Sequence, residues 1–146
     1  MIQLPPDFSE FLKLLNSRDV RYLLVGGYAV SFYGTPRATG DIDVWIDRTP
    51  DNADKIVRVL EDFGFDVPGL SPELFTKENN VVRLGTPPLR IELLTSISGV
   101  EFDECHRARS VVQLGDIEVS FIGVEQLKIN KRASGRPKDL ADLESL

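Results

Sequence analysis

Two short segments decide the fold: residues 22–27 (YLLVGG) and residues 41–46 (DIDVWI). The first is an apolar run that ends in two glycines, a pattern typical of a buried strand that enters a turn. The second alternates between polar and apolar residues, which predicts a strand with one face in the core. Because side chains on a strand point alternately to its two faces, Asp41 and Asp43 are expected to project from the same side, together with Trp45.

The rest of the chain predicts helices and hairpins around these two strands. Helices are predicted at residues 7–15, about 28–33, 51–63, 124–134 and 139–146. Strand pairs are predicted at residues 81–84 with 89–94, and at residues 111–114 with 117–121. Residues 65–67 are interpreted as a short strand and residues 68–80 as a loop. This order of elements indicates a fold of the α/β class.

Composition limits the class of protein. A chain of 146 residues with 42% hydrophobic content can bury one core, so we expect a single domain over residues 1–146. No membrane-spanning run and no signal-like start are apparent, which favours a cytoplasmic protein with no membrane partner. The lone Cys105 excludes an internal disulfide and a cysteine-based metal cage. A formal charge of −6 argues against broad, sequence-independent binding to DNA.

Three carboxylates are candidates for a metal site. Two aspartates at positions i and i+2 of a strand lie roughly 6–7 Å apart, close enough to share hard cations. Glu92 lies within a predicted apolar strand, where a charged side chain is costly unless it has a partner or a metal. The glycines Gly26 and Gly27 precede a helix, so their backbone amides can approach the phosphates of a nucleotide.

The hydrophobic residue and glycine pair at residues 25–27, followed by Asp41-Ile42-Asp43-Val44, resemble the signature of the polymerase-beta-like nucleotidyltransferases. Residues 127–143 also resemble small bacterial and archaeal members of that superfamily. Those members include relatives of the nucleotidyltransferase partners in toxin–antitoxin and abortive-infection modules, and of small antibiotic nucleotidyltransferases. The resemblance implies an α+β nucleotidyltransferase fold, with a mixed β-sheet and helices mainly on one face.

The resemblance also implies roles for the site residues. Asp41, Asp43 and Glu92 would bind magnesium or manganese, and Glu92 would also favour deprotonation of the acceptor hydroxyl. Gly26 and Gly27 would form the phosphate-binding turn for a nucleoside triphosphate, with pyrophosphate as the leaving group. Many relatives have serine at the position of Gly27 and aspartate at that of Glu92. A degenerate protein that binds nucleotide or a protein partner without turnover therefore stays an alternative.

Other polar residues have two interpretations each. Arg37 and Thr39 are candidates to orient a phosphate, or Arg37 pairs with Asp41 or Asp43. Lys131 and Lys138 belong to a basic segment that either binds triphosphate or an RNA acceptor, or is a solvated helix face. The acceptor stays open between tRNA, a partner protein's side chain and a small hydroxylated molecule. Because the chain ends soon after this segment, a homodimer or a partner chain is expected to supply acceptor surface.

Overall fold

The computed structural model of the protein describes residues 3–36, 39–65, 68–86 and 89–146. The described helices are α1 (Pro6–Ser17), α2 (Gly26–Tyr33), α3 (Pro50–Phe63), α4 (Phe102–Arg107), α5 (Val124–Ser134) and α6 (Pro137–Ser145). The strands are β1 (Tyr22–Val25), β2 (Asp41–Ile46), β3 (Val81–Thr86), β4 (Leu89–Leu94), β5 (Ser110–Leu114) and β6 (Ile117–Phe121). A single 3-10 turn covers Pro72–Phe75 within the segment interpreted as loop.

The strands form one mixed sheet in the order β3-β4-β2-β1-β6-β5. The central strands β1 and β2 are antiparallel to each other, whereas β2 pairs with β4, and β1 with β6, in parallel. The two predicted hairpins, β3 with β4 and β5 with β6, form the edges. The two segments that define the fold therefore lie side by side at the centre of the sheet.

Burial of the apolar stripes explains why these helices form where they do. In α1 the core side chains are Phe8, Phe11, Leu12 and Leu15, which recur at helical spacing and are buried. Helix α3 begins with Thr49, whose hydroxyl accepts a hydrogen bond from the Asn52 N–H, and it ends at Gly64 in the left-handed conformation. The three aliphatic residues of β2 are fully buried on the face opposite its aspartates.

The sequence-based predictions of the strands and longer helices are confirmed with small shifts at their ends. The structure adds α4, a short helix that the sequence did not predict. Phe65 is not part of a strand, and the other residues of the predicted 65–67 strand lie outside the described residues. None of the helices in the described part of the chain has the length and apolar character needed to cross a membrane.

Candidate active site

The pairing of β2 with β4 brings the three candidate carboxylates together. Asp43 is the register partner of Glu92, and Asp41 is the partner of Arg90. On the far side of β4, Arg83 of β3 is the register partner of Glu92. Because directly opposed residues in neighbouring strands project from the same face, all five charged side chains lie on one face of the sheet.

The glycine turn adjoins Asp43. Val25, the last residue of β1, is the register partner of Asp43, so the following Gly26 comes close to the Asp43 carboxylate. Gly26 has a φ of +64°, and a Cβ at this position would collide with Asp43 Oδ2. Glycine is therefore required here both for the backbone conformation and for the close approach of Asp43. The first amides of α2, which has no side-chain cap, follow immediately.

These elements border a cleft of about 880 Å³. Its lining combines the three carboxylates and the glycine turn with residues of α5 and α6. The lining residues that the sequence singled out are Gly26, Gly27, Thr39, Asp41, Asp43, Glu92, Lys131 and Lys138. Arg37 lies outside the described residues, so its predicted role has no structural description. The volume is within the range of pockets that hold small molecules and cofactors.

Negative charge accumulates around Asp43. Burial raises the pKa of Asp43 to about 6, and the Glu92 carboxylate, which shares a hydrogen bond with Asp43, and Asp41 add to this effect. Lys131 acts in the opposite direction. A carboxyl with its pKa near neutrality in a cleft is typical of functional sites, although ion networks also perturb pKa values.

Two arginines partly neutralise this charge. Arg90 Nη2 lies 3.0 Å from Asp41 Oδ2 and 3.4 Å from Glu92 Oε1. Arg83 Nε lies 3.4 Å from the same Glu92 oxygen. In the described ranges, no group of three or more Asp, Glu, His or Cys side chains is arranged to hold a metal ion.

The chemistry of the donor set nevertheless suits a divalent cation. Carboxylate oxygens are the ligands that Mg²⁺ and Mn²⁺ prefer. Within the described residues, no arginine contacts Asp43 as Arg90 contacts Asp41 and Glu92. Burial, together with the charges of Glu92 and Asp41, raises the pKa of Asp43. The residues thus fit a cation that would be held by Asp43 together with Asp41 and Glu92, once the arginines release the oxygens that they contact.

Lys131 is buried in an ion network at the junction of α5 and α6. Its Nζ lies 3.3 Å from Asp139 Oδ1 and 3.1 Å from Asp142 Oδ2. Arg136 and the Ser134 hydroxyl also contact Asp139, each at 2.7 Å from its Oδ2. The network fixes the wall of the cleft on which Lys138 is placed. Triphosphate binding by Lys131 or Lys138 stays a prediction.

A second cleft of about 490 Å³ adjoins the first, and both are bordered by Ile97 and Ser98. Its lining includes the acidic residues Asp47, Glu78, Glu101 and Asp103, and the basic residue Arg48. Asp47 and Asp103 are paired with Arg21. Trp45, on the same strand as the aspartates, packs edge-on against Phe102 with ring centroids 5.2 Å apart. Trp45 is therefore a buried packing residue.

Comparisons with known proteins agree with the fold. Over residues 6–146 the sequence matches the family described as nucleotidyl transferase of unknown function (DUF2204). The chain is a member of this nucleotidyl transferase family. No curated protein matches it.

A solved structure that this chain resembles comes from Thermotoga maritima, where the protein is provisionally named a nucleotidyltransferase. The two chains are 15% identical, and the match covers 97% of this chain and 93% of the other, with a TM-score of 0.64. At this level of identity the likeness concerns the fold alone. It confirms the mixed α/β nucleotidyltransferase fold that the sequence motif implied.

Sequence reasoning missed Arg83 and Arg136, which line the main cleft, and Arg90, which contacts the lining residues Asp41 and Glu92. A signal for Arg90 was present, because it precedes Glu92 by two residues and strand alternation places both on one face. The position of Arg83 beside Glu92 depends on the register of the β3–β4 hairpin, which the sequence does not specify. Arg136 was visible only as one member of a basic segment.

Proposed function

We propose that the protein is a metal-dependent nucleotidyltransferase that transfers a nucleotidyl group from a nucleoside triphosphate to an acceptor. The observation that carries the proposal is the convergence of Asp41, Asp43 and Glu92 beside the Gly26 turn in one cleft. Family membership supports the class of reaction. Metal dependence is supported by the chemistry of the donor set and by the negative charge around Asp43.

In the proposed reaction, an acceptor oxygen forms a bond to the α-phosphorus, and the bond from that phosphorus to the bridging oxygen of the β-phosphate breaks. Pyrophosphate leaves. The amides of the Gly26-Gly27 turn and the start of α2 bind phosphate oxygens. A divalent cation, when bound by the three carboxylates, would supply neutralisation of the phosphate charge.

The hydrogen-bonded pair of Asp43 and Glu92 is proposed to take up the proton of the acceptor hydroxyl. In the metal-free protein such a pair titrates as a unit, and burial raises the pKa of Asp43 to about 6. We keep for Glu92 the role that the resemblance implies, which is to favour deprotonation of the acceptor hydroxyl. Of the two carboxylates in the pair, Glu92 lies farther from the glycine turn along the sheet.

The acceptor is proposed to enter through the second cleft, which joins the first at Ile97 and Ser98. Its four acidic residues outnumber Arg48 and the Arg21 that pairs with two of them, and this negative balance favours a small hydroxylated molecule or a protein side chain over RNA. Of the acceptors considered for a toxin–antitoxin role, the side chain of a partner protein agrees with this lining better than tRNA does. The antibiotic-modifying role would place a small hydroxylated molecule in the same cleft.

The second candidate function is nucleotide binding without turnover. The observation that favours it is the engagement of Asp41 and Glu92 by arginines, with no metal-binding group in the described part of the chain. In that case the glycine turn binds phosphates, and nucleotide affinity does not depend on metal.

The test uses labelled triphosphates, magnesium and a cell extract, separated afterwards into RNA, protein and small molecules. We expect label in protein or small molecules, and expect Asp43→Asn to lower the rate on the order of 10³-fold. Asp116→Asn is the control, because Asp116 pairs with Lys13 on the exposed surface. Label confined to RNA would contradict the proposed acceptor class. Metal-independent nucleotide binding without transfer would favour the second candidate, and full activity of Asp43→Asn would refute the first.

A further inference from the structure

Arg90 lies between two of the three carboxylates of the candidate site. A single guanidinium nitrogen, Nη2, is within 3.0 Å of Asp41 Oδ2 and 3.4 Å of Glu92 Oε1. Positive charge between two carboxylate oxygens serves the same electrostatic purpose as a cation that bridges them. The side chain of Arg90 and a divalent cation therefore require the same oxygens.

The sheet holds Arg90 in this position. Arg90 is opposite Asp41 in the pairing of β2 with β4, and its backbone N–H donates to Gly40 O at 3.2 Å. Glu92 follows two residues later on the same face. Because the three residues belong to central, paired strands, the contact between the guanidinium and the carboxylates is a consequence of the fold itself.

The contact is nevertheless incomplete. Arg90 Nε is buried and has no hydrogen-bond partner in the described part of the chain. An arginine that binds a carboxylate with two parallel N–H groups is held much more firmly than one that contacts two carboxylates through one nitrogen. Replacing the two Nη2 contacts by contacts with other oxygens therefore costs little free energy. The same movement would let the buried Nε–H find a hydrogen-bond partner.

Arg83 provides a comparison within the same cleft. Among the carboxylates of the described residues it contacts Glu92 alone, with Nε 3.4 Å from Oε1, and 57% of its side chain is exposed. The Arg90 side chain is 30% exposed and contacts two carboxylates. Because exposed ion pairs are screened by water, Arg83 competes for Glu92 less strongly than Arg90 does.

We propose that Arg90 is a positioning residue that competes with the divalent cation for Asp41 and Glu92, so that the protein binds free metal weakly until a nucleotide is present. The inference rests on the proposed function, since it requires these carboxylates to be metal ligands. A triphosphate supplies phosphate oxygens to which the Arg90 guanidinium can transfer. Metal and nucleotide binding are then coupled through this one side chain.

The test measures Mn²⁺ binding to the full chain by electron paramagnetic resonance, without nucleotide and with a non-hydrolysable triphosphate. Without nucleotide, we expect Arg90→Ala to bind Mn²⁺ about tenfold more tightly than the wild type, because a competing ion pair is lost. Arg90→Lys should lie between the two, and Arg83→Ala should gain roughly twofold to threefold. The control Arg18→Ala, which removes the exposed pair with Asp62, should leave the affinity unchanged.

Addition of the triphosphate should increase Mn²⁺ affinity more in the wild type than in Arg90→Ala, because only the wild type has the guanidinium to transfer. Thermal unfolding with and without Mn²⁺ gives a second measurement, in which saturating metal should raise the Tm of Arg90→Ala more than that of the wild type. If Arg90→Ala does not fold, Arg90→Gln and Arg90→Lys carry the same comparison.

The outcomes separate this inference from the proposed function. Unchanged or weaker Mn²⁺ binding by the Arg90 variants, with binding lost in Asp43→Asn, would overturn the competition and leave the metal site intact. Mn²⁺ binding that is absent from every variant, with or without triphosphate, would overturn the metal-dependent function and the role of Arg90 together.

Discussion

Two clusters of polar side chains contribute residues to the lining of the same cleft, and the pKa values of their aspartates are shifted in opposite directions. In the sheet cluster (Asp41, Asp43, Glu92, Arg83 and Arg90), burial and neighbouring carboxylates raise the pKa of Asp43 to about 6. In the helix cluster (Lys131, Ser134, Arg136, Asp139 and Asp142), a hydrogen bond from Arg136 leads the contributions that hold the pKa of Asp139 far below its usual range.

The difference distinguishes a structural use of charge from a functional one. Asp139 is buried, but it has two cations and a hydroxyl as partners, so its charged form stabilises the native state. Asp43 is half-buried among other carboxylates, so its charged form is unfavourable until a cation arrives. Two aspartates of one cleft therefore differ in what they do. Asp139 stabilises the wall of the cleft, whereas Asp43 needs a bound cation to stabilise its charge.

The largest effect on stability is expected at Asp139. Asp139→Ala leaves Lys131 and Arg136 without a shared partner, and we expect the free energy of unfolding at pH 7 to fall by about 3–5 kcal/mol. The folded-state pKa of Asp139 is lowered, so its stabilisation is complete above the unfolded value near 4 and is lost as the pH falls below it. Urea unfolding should therefore show a smaller difference in the free energy of unfolding between variant and wild type at pH 2.5 than at pH 7. An equal difference at both pH values would contradict the contrast drawn between Asp139 and Asp43.

A second effect is expected at Gly26, which lies against Asp43 of the sheet cluster and is proposed to bind phosphates. Gly26→Ala introduces a Cβ that collides with Asp43 Oδ2 at a backbone φ of +64°. We expect a loss of about 1–3 kcal/mol in stability, from the positive φ and the steric conflict. Nucleotide affinity should fall more than in Gly64→Ala, which has a positive φ but open space around its Cβ. Similar nucleotide affinity in the two variants would show that the turn does not depend on its approach to Asp43.

The smallest effect is expected to have the opposite sign. Asp43→Asn removes a carboxyl whose folded-state pKa is raised, so the wild type becomes less stable as the pH rises from about 4 to about 6. The variant lacks this slope, and we expect it to be more stable than the wild type by about 2 kcal/mol at pH 7.5 and by almost nothing at pH 4. Denaturant unfolding at the two pH values checks this, and a destabilised variant at pH 7.5 would place Asp43 with the structural aspartates.

The sequence predicted the sheet cluster better than the helix cluster, for physical reasons. Strand alternation alone places Asp41 and Asp43 on one face, and the apolar context of Glu92 marks it as unusual. The pairing of β2 with β4, however, joins strands that are separated by helix α3 and strand β3, so the register of Asp43 with Glu92 is a tertiary property.

The helix cluster was not recognised because its pairs cross the turn between α5 and α6. Lys131 and Asp139 belong to different helices, and their contact depends on the angle between those helices. The basic residues of this segment therefore looked alike in the sequence, although one is buried and ion-paired. Helix α4 was missed because it is short and has few apolar residues to show a helical period, Phe102 and Cys105 being the main ones.

The position of Trp45 has a practical consequence. The chain contains one tryptophan, which lies two residues from Asp43 on β2 and is 2% exposed. Its fluorescence therefore reports on a single location, beside the carboxylates and at the edge of the second cleft, without any attached dye. Emission that responds to nucleotide, metal or a trial acceptor provides a direct way to search for ligands of this protein.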